Sequence, residues 1–76
     1  MNQLEKEILV FKTDLETPER LDAIKPFLDQ HPGIIKWNVD NHDVDNVLRI
    51  ESNNMAPADI IELAKEAGIL CEELPD

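Results

Sequence analysis

Short apolar runs separated by polar turns predict six alternating strands and helices along this chain. The run at residues 8–11, Ile-Leu-Val-Phe, is rich in β-forming residues and too short for a helix, so a strand is predicted over roughly 6–13. Both alternating faces of this run are apolar. That pattern is typical of a central strand, or of a strand whose outer face contacts a partner.

Two amphipathic helices are predicted. Thr17 and Pro18 open the first, because threonine accepts a hydrogen bond from a free backbone N–H and proline suits the first helical position. The segment 31–33, His-Pro-Gly, ends it. Its apolar residues at helical spacing are Leu21, Ile24 and Leu28. The second helix starts at Pro57 and ends at Gly68. Its apolar stripe comprises Ile60, Ile61, Leu63, Ala64 and Ala67.

Two further strands, near 34–40 and 47–51, are joined by a polar turn and predict an antiparallel hairpin. The side chains expected on its core face are Ile35, Trp37 and Val39 from the first strand and Leu48 and Ile50 from the second. A last short strand is predicted around 69–74 and contains Cys71, whose side chain is expected to point into the core.

The order strand, helix, strand, strand, helix, strand predicts an α+β fold. Its simplest packing is a ferredoxin-like βαββαβ sandwich, with two helices on one face of a four-stranded antiparallel sheet. We expect the first strand to lie between the third and the fourth. With 76 residues, the chain is expected to form one domain over 1–76, with 1–5 and 75–76 frayed.

The chain is strongly acidic, with 17 Asp and Glu against 7 Lys and Arg and a formal net charge of -10. Nucleic acid and anionic membranes would be repelled, whereas a basic protein partner or a cation would be attracted. The alternative is that the charge only keeps a small domain soluble. One cysteine excludes an internal disulfide, and we find neither a signal peptide nor a membrane-spanning run, so a cytoplasmic location is expected.

The pattern resembles one known family, the heavy-metal-associated (HMA) domains of small copper chaperones and metal-pumping ATPases. The residues that carry this resemblance are Leu15, Thr17-Pro18-Glu19-Arg20, Ile24, Leu28, Pro32-Gly33-Ile34, Ala64 and Ala67-Gly68. A small-protein branch in bacteria is similar at Phe11-Lys12-Thr13, Pro26-Phe27-Leu28 and Lys36-Trp37. The resemblance covers nearly the whole chain and implies the same βαββαβ fold.

The family's metal loop reads Met-x-Cys-x-x-Cys, and the resemblance aligns Leu15 with the methionine, Thr17 with the first cysteine and Arg20 with the second. Monovalent copper prefers thiolates, whereas a hydroxyl is a poor ligand and a guanidinium is a fixed cation. We therefore expect a degenerate loop that holds no metal, and no other cofactor is predicted.

Other candidate sites have simpler structural interpretations. Cys71 is expected to be an inert, buried thiol, with a redox or metal role as the alternative. Trp37 is expected to pack at the core or its edge, with a partner contact as the alternative. The polar turn could bind calcium but lacks the calcium-loop pattern, so a solvated hairpin loop is preferred. Its residues are Asp40, Asn41, His42, Asp43 and Asp45. His31 and His42 are expected at opposite ends of the fold.

Four apolar residues are predicted on the sheet face away from the helices. They are Ile8, Val10, Val47 and Leu70. Such a patch on an acidic molecule indicates either a partner site, including a homodimer through the open sheet face, or scattered harmless exposure.

Three functions remain open at this point. The preferred one is a non-catalytic protein-binding module that resembles a metallochaperone without its metal site. Family members dock through the first loop, the first helix and neighbouring loops, which implies that Thr17, Glu19 and Arg20 would contact a partner. The acidic surface suggests that this partner is basic. The alternative is copper or zinc binding through a non-standard site. An enzyme is not expected, because no nucleophile–base pair, phosphate loop or carboxylate dyad is evident.

Overall fold

The computed structural model describes residues 6–42 and 44–74, and it forms the predicted sandwich. The elements are β1 (Lys6–Thr13), α1 (Pro18–Asp29), β2 (Ile34–Asp40), β3 (Val47–Asn53), α2 (Pro57–Glu66) and β4 (Cys71–Glu73). The sheet order is β2-β3-β1-β4, and all three strand pairs are antiparallel. The predicted fold class and the central position of β1 are confirmed. The terminal segments predicted to fray lie outside the described residues.

Side-chain hydrogen bonds mark the start of both helices, and a glycine turn marks the end of α2. The Thr17 hydroxyl accepts a bond from the backbone N–H of Arg20 at 3.2 Å, as the N-cap prediction requires. At α2, the Asp59 carboxylate accepts the N–H of Ala56 at 2.9 Å. Gly68 follows α2 with a φ of 79°, a left-handed conformation that glycine adopts without strain. The N–H of Ile69 then bonds to the carbonyl of Ala64 at 2.8 Å, which turns the chain toward β4.

The core lies between the sheet and the two helices. Its members with no measurable exposure are Phe11, Ile24, Leu48, Ile50, Ile60 and Ala64. Trp37 is half-buried at the edge of this core, and its indole N–H donates to the Asp29 carboxylate at 2.8 Å. This matches the core-edge packing expected for Trp37 and ties β2 to the end of α1.

The structure corrects three details of the prediction. Ile35, expected on the core face, is 50% exposed, because a β-bulge between Ile34 and Lys36 shifts the register by one residue. Ile34 packs against the core in its place. β3 extends to Asn53, and β4 covers only Cys71–Glu73, because Ile69 is still part of the turn that ends α2.

Candidate functional site: the loop end

Three loops meet at one end of the sheet, which we call the loop end: residues 14–17 after β1, 41–42 and 44–46 between β2 and β3, and 67–70 before β4. The Asn41 side-chain amide donates to the carbonyl of Leu15 at 3.0 Å. The backbone N–H of Thr13 donates to the carbonyl of Asp45 at 3.0 Å. The N–H of Asp14 donates to the carbonyl of Leu70 at 3.3 Å. The first loop is therefore fastened to both of its neighbours.

Leu15, aligned by the resemblance with the family's methionine, is a core residue here with 2% exposure. Its N–H donates to the Thr13 hydroxyl at 3.1 Å, and that buried hydroxyl donates to the carbonyl of Asn46 at 2.7 Å. Asn46 has a φ of 46°, in the left-handed region that asparagine tolerates better than most residues. The Thr13 hydroxyl thus anchors the start of the first loop to the end of the loop between β2 and β3.

Thr17, Glu19 and Arg20, the three residues predicted to contact a partner, are all exposed at the start of α1. Thr17 and Arg20 are also linked through the helix cap, which occupies the Thr17 hydroxyl oxygen. The predicted position of Thr17 and Arg20 at the junction of β1 and α1 is confirmed.

Asp14 makes the most contacts in the first loop. One carboxylate oxygen pairs with the Arg20 guanidinium, with an Oδ2–Nη1 distance of 2.8 Å. The other accepts the backbone N–H of Leu70 at 3.0 Å. Arg20, Asp14 and Leu70 therefore form a chain of contacts from α1 through the first loop to the approach of β4. We call this chain the Asp14 clamp.

These side chains do not suit a soft metal ion. The chain has one cysteine, so it cannot supply two thiolates to one ion. The Arg20 guanidinium brings a permanent positive charge to the loop, and its neutralising carboxylate is already bound to it. Among residues 6–42 and 44–74, no group of three or more His, Cys, Asp or Glu side chains could hold a metal ion.

Cys71 lies opposite Thr13 on β1 and packs against the core while half-buried. The predicted inward orientation agrees with this position. Burial raises the pKa of the Cys71 thiol from 9.0 to about 11. The thiol is therefore protonated at neutral pH, and a protonated thiol is a weak nucleophile and a weak metal ligand.

Two shallow grooves open at the loop end. One, of about 170 Å³, runs along the first loop and the start of α1, between Leu15, Thr17 and Asn41. The other, of about 260 Å³, lies between the end of β1, Val44 and the start of β4. We call it the Leu70 groove. Its charged lining residues are Lys12, Asp14, Glu16 and Glu72, and its apolar ones include Val44 and Leu70.

The four apolar residues predicted on the open sheet face have different surroundings. Ile8 is 53% exposed and Val10 is half-buried, and both project from β1 on that face. Val47 is only 6% exposed, so it offers little surface to a partner. Leu70 is 73% exposed at the loop end, in the Leu70 groove. Of the four, only Ile8 and Val10 therefore present apolar surface on the open sheet face.

The sequence interpretation missed two residues of the loop end. Val44 is 93% exposed beside Leu70, and a single aliphatic residue within a polar turn was the only available signal. Asp14 was missed because its partner Leu70 is 56 residues away along the chain. Its position immediately before the metal loop of the resembled family was a usable hint.

The polar turn and the histidines show no built site in the described residues. His42 lies 3.4 Å from the Asp40 carboxylate and is fully exposed. His31 lies beyond the other end of β2, where its Nδ1 accepts the N–H of Gly33 at 3.0 Å. The two histidines are thus at opposite ends, as expected. Asp43, the remaining acidic residue of the predicted turn, lies outside the described residues.

Solved structures with the same chain trace are HMA domains. The apo HMA domain of a copper chaperone for superoxide dismutase superposes with a TM-score of 0.79 and 16% identity, covering 99% of this chain and 74% of that one. The Cu(I)-loaded first domain of the human copper chaperone for SOD1 superposes with a TM-score of 0.75 and 14% identity, and the match covers 91% of this chain and 93% of that one. The yeast copper transporter domain Ccc2a superposes with a TM-score of 0.75 and 20% identity, and the match covers 91% of this chain and 96% of that one.

This chain has the HMA fold. The fold implied by the sequence resemblance is thereby confirmed. A chain in the solution structure of the Atx1–Cu(I)–Ccc2a complex also matches, with a TM-score of 0.71 and 24% identity. At these identities the likeness concerns the fold. No protein-family model matches the chain, and no curated protein matches it. No helix within the described residues is long and apolar enough to cross a membrane.

Proposed function

We propose that this chain is a non-catalytic protein-binding module that uses the HMA fold without a bound metal ion. The observation that carries the proposal is the Asp14 clamp together with the single cysteine. Where a metallochaperone would place two thiolates, this chain has a capping hydroxyl and an ion-paired guanidinium. We further propose that it acts in the cytoplasm.

The clamp supports binding without metal because it orders the loop end with protein groups alone. Asp14 fastens the start of α1 to the approach of β4 through the two contacts of its carboxylate. The Asn41 amide adds a third connection by bonding to both Leu15 and Asn46 at 3.0 Å. A surface that is ordered before association loses less conformational entropy on binding.

The partner we propose is a basic protein that contacts the exposed start of α1. Thr17, Glu19 and Arg20 would lie at the centre of that contact. The net charge of -10 favours a positively charged surface, which would accelerate encounter and make association sensitive to salt. The same charge disfavours nucleic acid and anionic membranes as partners. The Atx1–Cu(I)–Ccc2a complex is a precedent for assembly between proteins of this fold.

A copper or zinc carrier is the second candidate, favoured by the copper-loaded state of one neighbour of the same fold. The two candidates differ in one measurable property, the affinity of the reduced protein for Cu(I) and Zn(II). We expect the protein to fail to compete with a chelator of micromolar affinity for either ion. The Cys71→Ser variant is the matched control, because it removes the only thiol.

Equal behaviour of the parent protein and the variant, without metal uptake, would support the binding-module proposal. Sub-micromolar uptake of either ion by the parent protein would favour the metal carrier. If that uptake persisted in Cys71→Ser, the ion would be held by oxygen or nitrogen ligands.

A further inference from the structure

Two exposed aliphatic side chains line the same concavity, the Leu70 groove. Leu70 is 73% exposed and Val44 is 93% exposed. Single exposed aliphatic residues are common on protein surfaces. Two of them lining one groove form a small apolar surface that another side chain can contact.

The rim of this groove is acidic. Its charged lining residues comprise one lysine and three carboxylates. Lys12 lies 3.8 Å from Asp45, and Asp14 is paired with Arg20. Within the described part of the chain, Glu16 and Glu72 form no ion pair, so their charges are available to a cation. Two exposed aliphatic side chains with carboxylates beside them are complementary to an aliphatic side chain flanked by basic residues.

The groove is small, and the backbone on its Leu70 side is held in place. About 260 Å³ is below the range of roughly 300–1,000 Å³ that is typical of small-molecule pockets, so it suits one inserted side chain. The Asp14 clamp fixes Leu70, because Asp14 bonds to both its N–H and its carbonyl. The Leu70 side of the groove is therefore ordered before a partner arrives.

We propose that the Leu70 groove binds a segment of a partner protein that inserts one aliphatic side chain between Leu70 and Val44. Lysine or arginine residues on either side of it would meet Glu16 and Glu72. This inference rests on the proposed function and specifies which part of a basic partner is recognised. It also places a contact on the β4 side of the loop end, apart from Thr17 and Glu19.

A short peptide probe tests the groove directly. The probe is the acetylated peptide Gly-Lys-Lys-Leu-Arg-Lys-Gly, added to the ¹⁵N-labelled full chain at up to about 5 mM, which detects dissociation constants in the millimolar range. Amide shifts are expected to saturate and to cluster at Lys12, Leu70 and Glu72. A peptide with serine in place of leucine should bind about tenfold more weakly. Raising the salt concentration should weaken binding of the leucine-containing peptide to the protein.

Substitutions in the protein identify which residues carry the interaction. Leu70→Ser should weaken peptide binding about tenfold, and Glu72→Gln should weaken it several-fold. Because both side chains are exposed, the fold should survive, and the unchanged part of the amide spectrum verifies this. The matched controls are Ile35→Ser, a half-exposed isoleucine on β2, and Glu62→Gln on α2. Neither should change the affinity.

Cys71 provides an independent readout, because it also lines the groove. A bound peptide should slow alkylation of the Cys71 thiol, and the serine peptide at the same concentration should not. Alkylation unaffected by saturating peptide would contradict the proposed position of the occupant.

Three other results would overturn the inference. They are the absence of saturable shifts, equal binding of the leucine and serine peptides, and an unchanged affinity in Leu70→Ser. Amide shifts confined to Thr17, Glu19 and Arg20 would rule out the Leu70 groove as the binding site and would leave the proposed function unaffected. Sub-micromolar Cu(I) uptake would instead remove the proposed function, whatever the peptide does.

Discussion

At the scale of single residues, the side chains of Thr17 and Arg20 are engaged in contacts within the protein, whereas ligands in a metal-binding loop must be available to the ion. The Thr17 hydroxyl caps α1, and the Arg20 guanidinium neutralises Asp14. An exposed ion pair of this kind contributes about 0–1 kcal/mol to stability, so its main effect is on local order. The two residues that the resemblance aligns with the family's cysteines therefore organise the loop that they occupy.

The raised pKa of Cys71 predicts a pH dependence of stability. The pKa of the thiol is about 11 in the folded protein and 9.0 without the effect of burial. Between these values the unfolded chain releases the proton while the folded chain keeps it. The thiol's contribution to the free energy of unfolding is therefore constant below pH 9 and falls as the pH rises toward 11.

Urea unfolding at several pH values measures this contribution. Since lysines also titrate in this range, the informative quantity is the difference between the parent protein and Cys71→Ser. The difference should decrease from pH 8 to pH 10.5. A difference that stays constant would show that Cys71 is more solvated than its packing against the core indicates.

Some residue-level features could be read from the sequence and others could not. The Thr17 cap was predictable because capping depends on four neighbouring residues and follows a known preference. The Asp14 clamp was not, because it joins residues distant along the chain and depends on how β4 approaches β1. The exposure of Ile35 was also hidden, because Ile34 and Ile35 are both apolar and the sequence does not show which of them the bulge turns toward the core.

At the scale of elements, β1 and β2 have the predicted bounds because each is a β-rich run between polar segments. β4 is shorter than predicted. Ile69 is apolar and was assigned to the strand, but its N–H completes the glycine turn that ends α2. With only three residues, β4 depends on side-chain contacts such as the Asp14 clamp to stay on the sheet.

Removing the clamp should loosen β4 while the rest of the sheet stays intact. In Asp14→Ala, the N–H of Leu70 loses its carboxylate and Arg20 loses its partner, so local stability should fall by about 1 kcal/mol. Hydrogen exchange at the Leu74 amide, which bonds to Val10 across β1 and β4, should accelerate about fivefold.

The control for this prediction is Asp22→Ala, which removes an exposed carboxylate from α1 and should leave β4 unchanged. The amide of Ile50 in the central strands should be protected equally in both variants. Equal exchange at Leu74 in the parent protein and Asp14→Ala would show that the clamp does not hold β4.

At the scale of the whole molecule, the open sheet face carries both apolar and charged groups. Ile8 lies opposite Glu51 and Val10 lies opposite Arg49 on β3. Glu51 is 3.2 Å from Lys6 and 3.8 Å from Lys36. The homodimer through this face stays a prediction. The apolar side chains favour self-association, whereas the net charge of -10 opposes it.

Solution mass decides between these effects. If the chain dimerises through this face, Val10→Glu should convert it to a monomer, while Leu70→Ser should leave the dimer intact. A monomeric parent protein at high salt, where repulsion is screened, would remove the homodimer hypothesis.

The central claim is that the HMA fold is present here with a first loop that does not suit a metal ion. The most direct test compares the parent protein with the double variant Thr17→Cys/Arg20→Cys. Both are reduced, and their Cu(I) binding is measured in competition with a chelator. We expect no measurable uptake by the parent protein and one tightly bound Cu(I) in the double variant, because the substitutions restore two thiolates and remove the cation. Equally tight binding by both proteins would contradict the account.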